Sequence, residues 1–284
     1  MKNKNQPLAP RKRPTRTASR KKSATASAGT WWKPLTLGIA GFLVLCLIIE
    51  YFKEGGRLAF LRHKVEEATQ TNTAVTFSPE GYEVTGLDIS HHQREIDWKA
   101  VKAQKIKFTF IKATEGITHQ DRYFARHWRQ AKKHDVLRGA YHFFLPARDA
   151  EKQARNFLNR VKLEAGDLPP VLDVEVTNHQ SDEEIRAGVQ LWLDMVEEEY
   201  GLKPIIYTNY AFYEKHLAGY FDAYPLWVAH YSPEKSHRLA NRDWVFWQHT
   251  ETGRLEGVKG NLDLNVFNGT MEDLYNMCYE PETL

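Results

Sequence analysis

The stretch LPPVLDVEVTN, Leu168 to Asn178, has the apolar make-up of a buried strand and yet carries two carboxylates, Asp173 and Glu175. Strand side chains alternate, so these two share one face, about 7 Å apart along the backbone, while Leu172, Val174 and Val176 take the other. Charges inside an apolar strand are rarely without a partner or a function. Two carboxylates on one face can divide acid and base work between them, if their surroundings push their pKa values apart.

Such a pair needs elements that hold it in place. From Val84 onward, short apolar runs alternate with amphipathic segments. TGLDIS, IKFTFIKA, RGAYHFF, PVLDVEV, KPIIYTN, LWVAHY, WVFWQHT and LDLNVF read as strands. IDWKAVKAQ, DRYFARHWRQAKKHD, DAEKQARNFLNRVK, SDEEIRAGVQLWLDMVEEEYG and a short piece near AFYEKHLAG read as helices. Strands that alternate with helices imply a parallel sheet with covered faces, and eight strands can close a barrel. An open doubly wound sheet is the rival, but the first strand is followed by no Gly-rich turn and the chain has no phosphate-binding loop. The expected fold is therefore α/β, an irregular TIM-like barrel of five strand-helix units plus three further strands, preceded by a transmembrane helix.

In a barrel, polar residues late in apolar strands gather on one rim. Asp88, Glu115, Tyr141, His142, Asp173 and Glu175 fall there, followed by Tyr207, His230, Tyr231, Gln248, His249, Asp263 and Asn265. Acidic and aromatic groups dominate. Carboxylates that act as acid, base or charge stabiliser, with aromatic faces for sugar rings, suit glycoside hydrolysis. Glu115 in ATEG reads as structural or supporting. The scattered histidines match no zinc spacing, so no metal and no cofactor is expected.

The blocks GLDISHHQREIDW, FTFIKATEG, GAYHFF, PVLDVE, IIYTN, LWVAHY, WQHT and LDLNVF together resemble glycoside hydrolase family 25, the Chalaropsis-type lysozymes. The likeness covers about 84 to 269. It implies hydrolysis of the β-1,4 bond between N-acetylmuramic acid and N-acetylglucosamine, with peptidoglycan glycan strands as the partner. Matching the family's Asp-x-Glu signature to LDVE makes Glu175 the general acid, its pKa raised by burial and by negative neighbours. Asp173, Asp88 and Asp263 complete an acidic cluster that titrates as a set. The family is similar to retaining enzymes in which the substrate's own N-acetyl group attacks, which would have Asp173 hold the amide; direct attack by a carboxylate is the other option. Tyr141, Tyr207 and Gln248 are expected to contact substrate. The alternative is a peptidoglycan-binding module with little catalysis, and a third reading is a glycosidase for another N-acetylated polymer such as chitin.

The N-terminal part lies outside that likeness. Residues 1–33 hold ten Lys and Arg and no acid, among Ser, Thr, Ala and Pro, and read as a basic disordered cytoplasmic tail. The whole chain of 284 residues carries a formal charge of only +3, so the remainder is acidic and a nucleic-acid partner is not expected. Residues 34–52 include an uncharged run from Leu35 to Ile49, flanked by Trp31, Trp32, Tyr51 and Phe52, and read as a transmembrane anchor. Positive charge before the span predicts a single-pass protein with a cytoplasmic N-terminus and an exported catalytic domain, periplasmic or extracellular. Residues 53–82 read as a stalk and 83–284 as the catalytic domain. Cys46 and Cys278 offer no bridge within that domain, so its stability must come from the core. The oligomeric state is left open.

Overall fold

The computed structural model describes residues 79–231 and 242–281. Their elements run β1 (Thr85–Ile89), α1 (Trp98–Ala103), β2 (Phe108–Glu115), β3 (His119–Gln120), α2 (Phe124–Lys133), β4 (Leu137–Phe143), α3 (Ala150–Arg160), β5 (Val171–Asp173) and α4 (Asp182–Tyr200). There follow β6 (Ile205–Asn209), α5 (Tyr210–Phe212) with a π-helical turn at Tyr213–Leu217, β7 (Leu226–Ala229), β8 (Phe246–Gly253), β9 (Leu262–Phe267) and α6 (Met271–Asn276). The sheet order is β1-β9-β8-β7-β6-β5-β4-β2-β3, and β1 pairs with β2 as well, which closes eight strands into a barrel and leaves β3 as a short hairpin on β2. Seven barrel strands run parallel; β9 is antiparallel to both of its neighbours.

Two expectations are corrected here. The fold is a closed eight-stranded β-barrel, and the transmembrane helix expected in front of it is withdrawn: among the described residues no helix is long and apolar enough to cross a membrane. The expected span at 34–52 lies outside the described residues, as do the tail at 1–33 and the stalk up to 78. The membrane partner and the single-pass, exported location rested on that span, and both are withdrawn with it.

Strand alternation organises the interior in layers. Phe108, Val171, Ile205, Phe246 and Phe267 belong to a cluster inside the barrel, whereas Leu87, Ile111, Leu172, Ile206 and Val228 pack outward beneath the helices. Space for the large inner rings comes from glycine. A Cβ on Gly86 would meet the Phe108 ring at 2.4 Å, and one on Gly139 would meet Phe110 at 2.5 Å. Two residues further along each strand, the same inward face carries Asp88, Tyr141, Asp173, Tyr207 and Gln248. The closed, apolar end of the barrel therefore supports a polar layer at its other end.

The helices act as outer cover. α4, the longest, starts from a capping box in which Ser181 and Glu184 satisfy each other's backbone amides, and stops at Gly201, whose φ of 68° suits glycine. Its buried face, Ile185, Val189, Trp192, Leu193 and Val196, falls at helical spacing and packs on the outward residues of the strands.

Candidate active site

A cavity of about 300 Å³ opens at the polar end of the barrel. Asp88, Asp173, Glu175, Asp263, Tyr141, Tyr207 and Gln248, all expected from the sequence to form a site, line it together. Strand β5 ends at Asp173, so Glu175 lies one step beyond the ladder instead of within it. It still shares Asp173's side, because Val174 N–H donates to Tyr207 O at 2.9 Å and keeps the chain extended.

Asp88 is buried and fully engaged. Its Oδ2 accepts from Gln248 Nε2 and Asn265 Nδ2, each at 2.8 Å. Gln248 is fixed in that direction because its Oε1 accepts two phenols, Tyr207 at 2.9 Å and Tyr231 at 2.7 Å. Asn265 is fixed likewise, its Oδ1 taking the indole N–H of Trp227 at 2.8 Å. Asp263 stands opposite Asp88 across the β1–β9 pair and is hydrogen-bonded to it. Burial first, then the charge of Asp88 and this hydrogen bond, push Asp263 up to about 8. Burial also raises Asp88, and the hydrogen bonds from Asn265, Gln248 and Asp263 oppose the rise. One proton thus sits between the two acids, on Asp263, at neutral pH.

The second pair behaves similarly. Burial pushes Asp173 well above the usual carboxylate range, and the charge of Glu175 adds to it. Glu175 is raised by burial and by Asp88, against a hydrogen bond from Tyr207 and the charge of Lys112. The Tyr207 phenol also donates to Gln248 Oε1, so it stands between Gln248 and Glu175, and its bond to Glu175 favours the carboxylate and offsets part of the rise that burial causes. Asp173 Oδ1 is buried and has no hydrogen-bond partner among the described residues. Tyr141 and Tyr207 themselves are raised far above the phenol range by burial and by these acids, so both remain neutral donors.

Lys112, which sequence reasoning passed over, is the cation among the described residues that line the cavity. Its Nζ bonds Glu115 Oε2 at 2.7 Å and lies 4.9 Å from the centre of the Phe143 ring. A bulge between Lys112 and Thr114 makes this possible. In a regular strand, positions 112 and 115 face opposite ways; the extra residue brings them to one side. Trp227 was also missed. It stacks on Phe110 at 4.6 Å and lies 4.4 Å from Tyr207, forming the floor of the cavity.

The other rim histidines have different settings. His142 points away from the cavity into the helical layer, between Thr114 Oγ1 at 2.7 Å and Gln153 Oε1 at 3.2 Å, and burial lowers it to about 4. Burial lowers His249 to about 4 as well. Among the described residues no group of three or more His, Cys, Asp or Glu is placed to hold a metal ion.

Comparison with known proteins places this architecture. The sequence profile of Glycosyl hydrolases family 25 matches residues 87–258. "Uncharacterized protein YegX" of Escherichia coli (strain K12) is 46% identical over 201 residues, 69% of this chain and 74% of that protein. "Lysozyme M1" of Streptomyces globisporus is 32% identical over 204 residues, 66% of this chain and 68% of that one. Among solved structures, a family 25 glycosyl hydrolase from Bacillus anthracis superposes with a TM-score of 0.63 at 34% identity, covering 69% of this chain and 94% of that one.

Proposed function

This chain belongs to glycosyl hydrolase family 25 and is a glycoside hydrolase of the lysozyme type, a muramidase acting on peptidoglycan; from that premise we propose that Glu175 is its general acid, Asp173 the group that orients the substrate, and the reaction retaining. The observation that carries the proposal is the pairing of a raised, partly exposed Glu175 with a deeper Asp173 whose Oδ1 lacks a partner among the described residues.

In this reading a muramic acid ring enters the cavity against the aromatic walls. Glu175 gives its proton to the glycosidic oxygen as the C1–O bond breaks. The oxygen of the ring's own N-acetyl group closes on C1 from the opposite face, and its amide N–H donates to Asp173, satisfying the orphaned acceptor. Glu175, now a carboxylate, takes a proton from water, which adds to C1 and reopens the acetamido ring. The two displacements at C1 restore its configuration. Asp88, held by three donors of which Asp263 is one, supplies the charge that adds to burial in raising Glu175. Tyr141, Tyr207 and Gln248 contact the sugar directly or through these acids. The catalytic domain in this reading is 83–284.

The test is incubation of the protein, and of its Glu175→Gln variant, with purified peptidoglycan, followed by borohydride reduction and mass spectrometry. Reduced N-acetylmuramic acid ends that are absent with the variant support both activity and role. Cleavage by the variant at the wild-type rate would sink the acid assignment, and reduced N-acetylglucosamine ends would exclude a muramidase.

A further inference from the structure

Beside the carboxylate cavity lies a second depression of about 450 Å³, lined by His92, Gln93, Glu251, Lys259, Asn261 and Asp263 among others. His92, Glu251 and Asp263 line both, so the two form one continuous groove. Their chemistry differs. The first has Tyr141, Phe143, Tyr207, Trp227 and Tyr231 in its walls, the flat faces on which sugar rings lie. Among the described residues, the second has no Phe, Tyr or Trp in its lining. It offers instead an ammonium at Lys259, a carboxylate at Glu251 and side-chain amides at Gln93 and Asn261.

This region is built rather than incidental. His92 lies tilted against His91 with ring centres 4.0 Å apart. His91 is clamped in turn by buried Asp121, whose Oδ2 accepts from the His91 backbone N–H at 2.8 Å and lies 3.1 Å from its Nδ1. Gln93 ties the turn after β1 to the start of β9: its Oε1 accepts from Ser90 N–H at 2.9 Å, and its Nε2 donates to Asn261 O at 3.4 Å. Lys259 is exposed at the mouth.

A depression that has charges of both signs and amides, but no aromatic platform, suits a peptide better than another sugar. Because it shares three walls with the carboxylate cavity, a group that hangs from a sugar bound there can reach it. We propose that it seats the peptide borne by the lactyl group of muramic acid, with Lys259 taking a peptide carboxylate and Glu251 an ammonium or amide N–H, so that peptide-bearing glycan is cut in preference to bare glycan. This rests on the muramidase reading and goes beyond it in naming the part of the substrate that is recognised.

The experiment compares kcat/KM on peptidoglycan glycan that retains its stem peptides with kcat/KM on the same glycan stripped of them by an amidase, for the wild type and Lys259→Met. The wild type is expected to favour the peptide-bearing glycan about tenfold, the size of one charge-assisted contact. Lys259→Met is expected to lose that preference while cutting bare glycan at the wild-type rate. Equal wild-type rates on the two glycans, or equal slowing of both by the variant, would overturn the proposal. A second measurement is independent of turnover: calorimetric titration of the free stem tripeptide into Glu175→Gln protein, with and without Lys259→Met. Binding that weakens about tenfold with Lys259→Met supports the site, and absence of binding at millimolar peptide refutes it. Failure of the muramidase reading would show separately, as cleavage of neither glycan.

Discussion

Asp88 and Asp263 lie directly opposite one another in the antiparallel β1–β9 pair and share a hydrogen bond. Two carboxylates so placed repel if both ionise, and the fold resolves this by leaving a proton on Asp263 and surrounding Asp88 with amide donors. The arrangement has a cost that depends on pH. Asp263 titrates at about 8 in the folded protein and at about 3.9 when unfolded. Between those values the folded state binds more protons, so stability falls as pH rises through that window and levels off above it. Asp263→Asn removes this contribution. Thermal melts at pH 5 and pH 8 should show a smaller drop for the variant than for the wild type, and an equal drop would refute the assignment.

Glu175→Gln and Asp173→Asn should separate by kinetics. Loss of the general acid is expected to lower kcat about a thousandfold, and loss of the orienting carboxylate about a hundredfold, within the usual range for such groups. Neither should change the melting temperature much, since both side chains face the cavity. NMR of fresh product should show the β anomer first; initial α anomer would rule out retention.

Lys112 opposes the rise of both Asp173 and Glu175. Lys112→Met removes that positive charge, so the two acids should hold their protons to higher pH. The alkaline limb of the pH dependence of kcat/KM should move upward by up to about one pH unit, the effect of a nearby unit charge. An alkaline limb that stays in place while activity drops uniformly would mean that Lys112 binds substrate without tuning the acids.

Gln248 joins Tyr207, Tyr231 and Asp88. Gln248→Ala strands Tyr207 and Asp88, which are buried, and a loss of about 2–4 kcal/mol is expected from the cost of unsatisfied groups. Urea denaturation measures it. A change below about 0.5 kcal/mol would show that the network relaxes without it.

Gly86→Ala should destabilise by about 2–3 kcal/mol through overpacking, because the Phe108 ring occupies the place of the new methyl. Combining it with Phe108→Leu should recover part of the loss. Additive losses would mean that the strain lies in the backbone.

Alternation explains why much of the site was legible in the sequence. Asp88, Asp173 and Tyr207 stand two residues beyond inward Gly86, Val171 and Ile205, so period-two reading sends them to one rim. The same rule fails at β2, where the bulge reverses the faces beyond Lys112 and brings Glu115 to it. It also misjudged β5, which stops at Asp173 because beyond it only Val174 N–H still bonds to β6. Which acid keeps a proton was not legible either, since that depends on where Gln248 and Asn265 aim their amides. The transmembrane helix was argued from the composition of residues outside the described structure, which an apolar run alone does not establish.

Phe108, Phe110, Phe246 and Trp227 fill the barrel beneath the acids in mutual ring contact. They make the site a blind cup. Among the described residues these rings close the way to Glu175 from below, which leaves the mouth that the glycan would occupy as the route for the hydrolytic water. With Glu175 as the proposed acid, the proton it gives away would be returned by that same water, and departure of the leaving sugar would be the event that admits it. Under the proposed mechanism turnover would thereby be ordered by access: the first product would have to leave before the second could form.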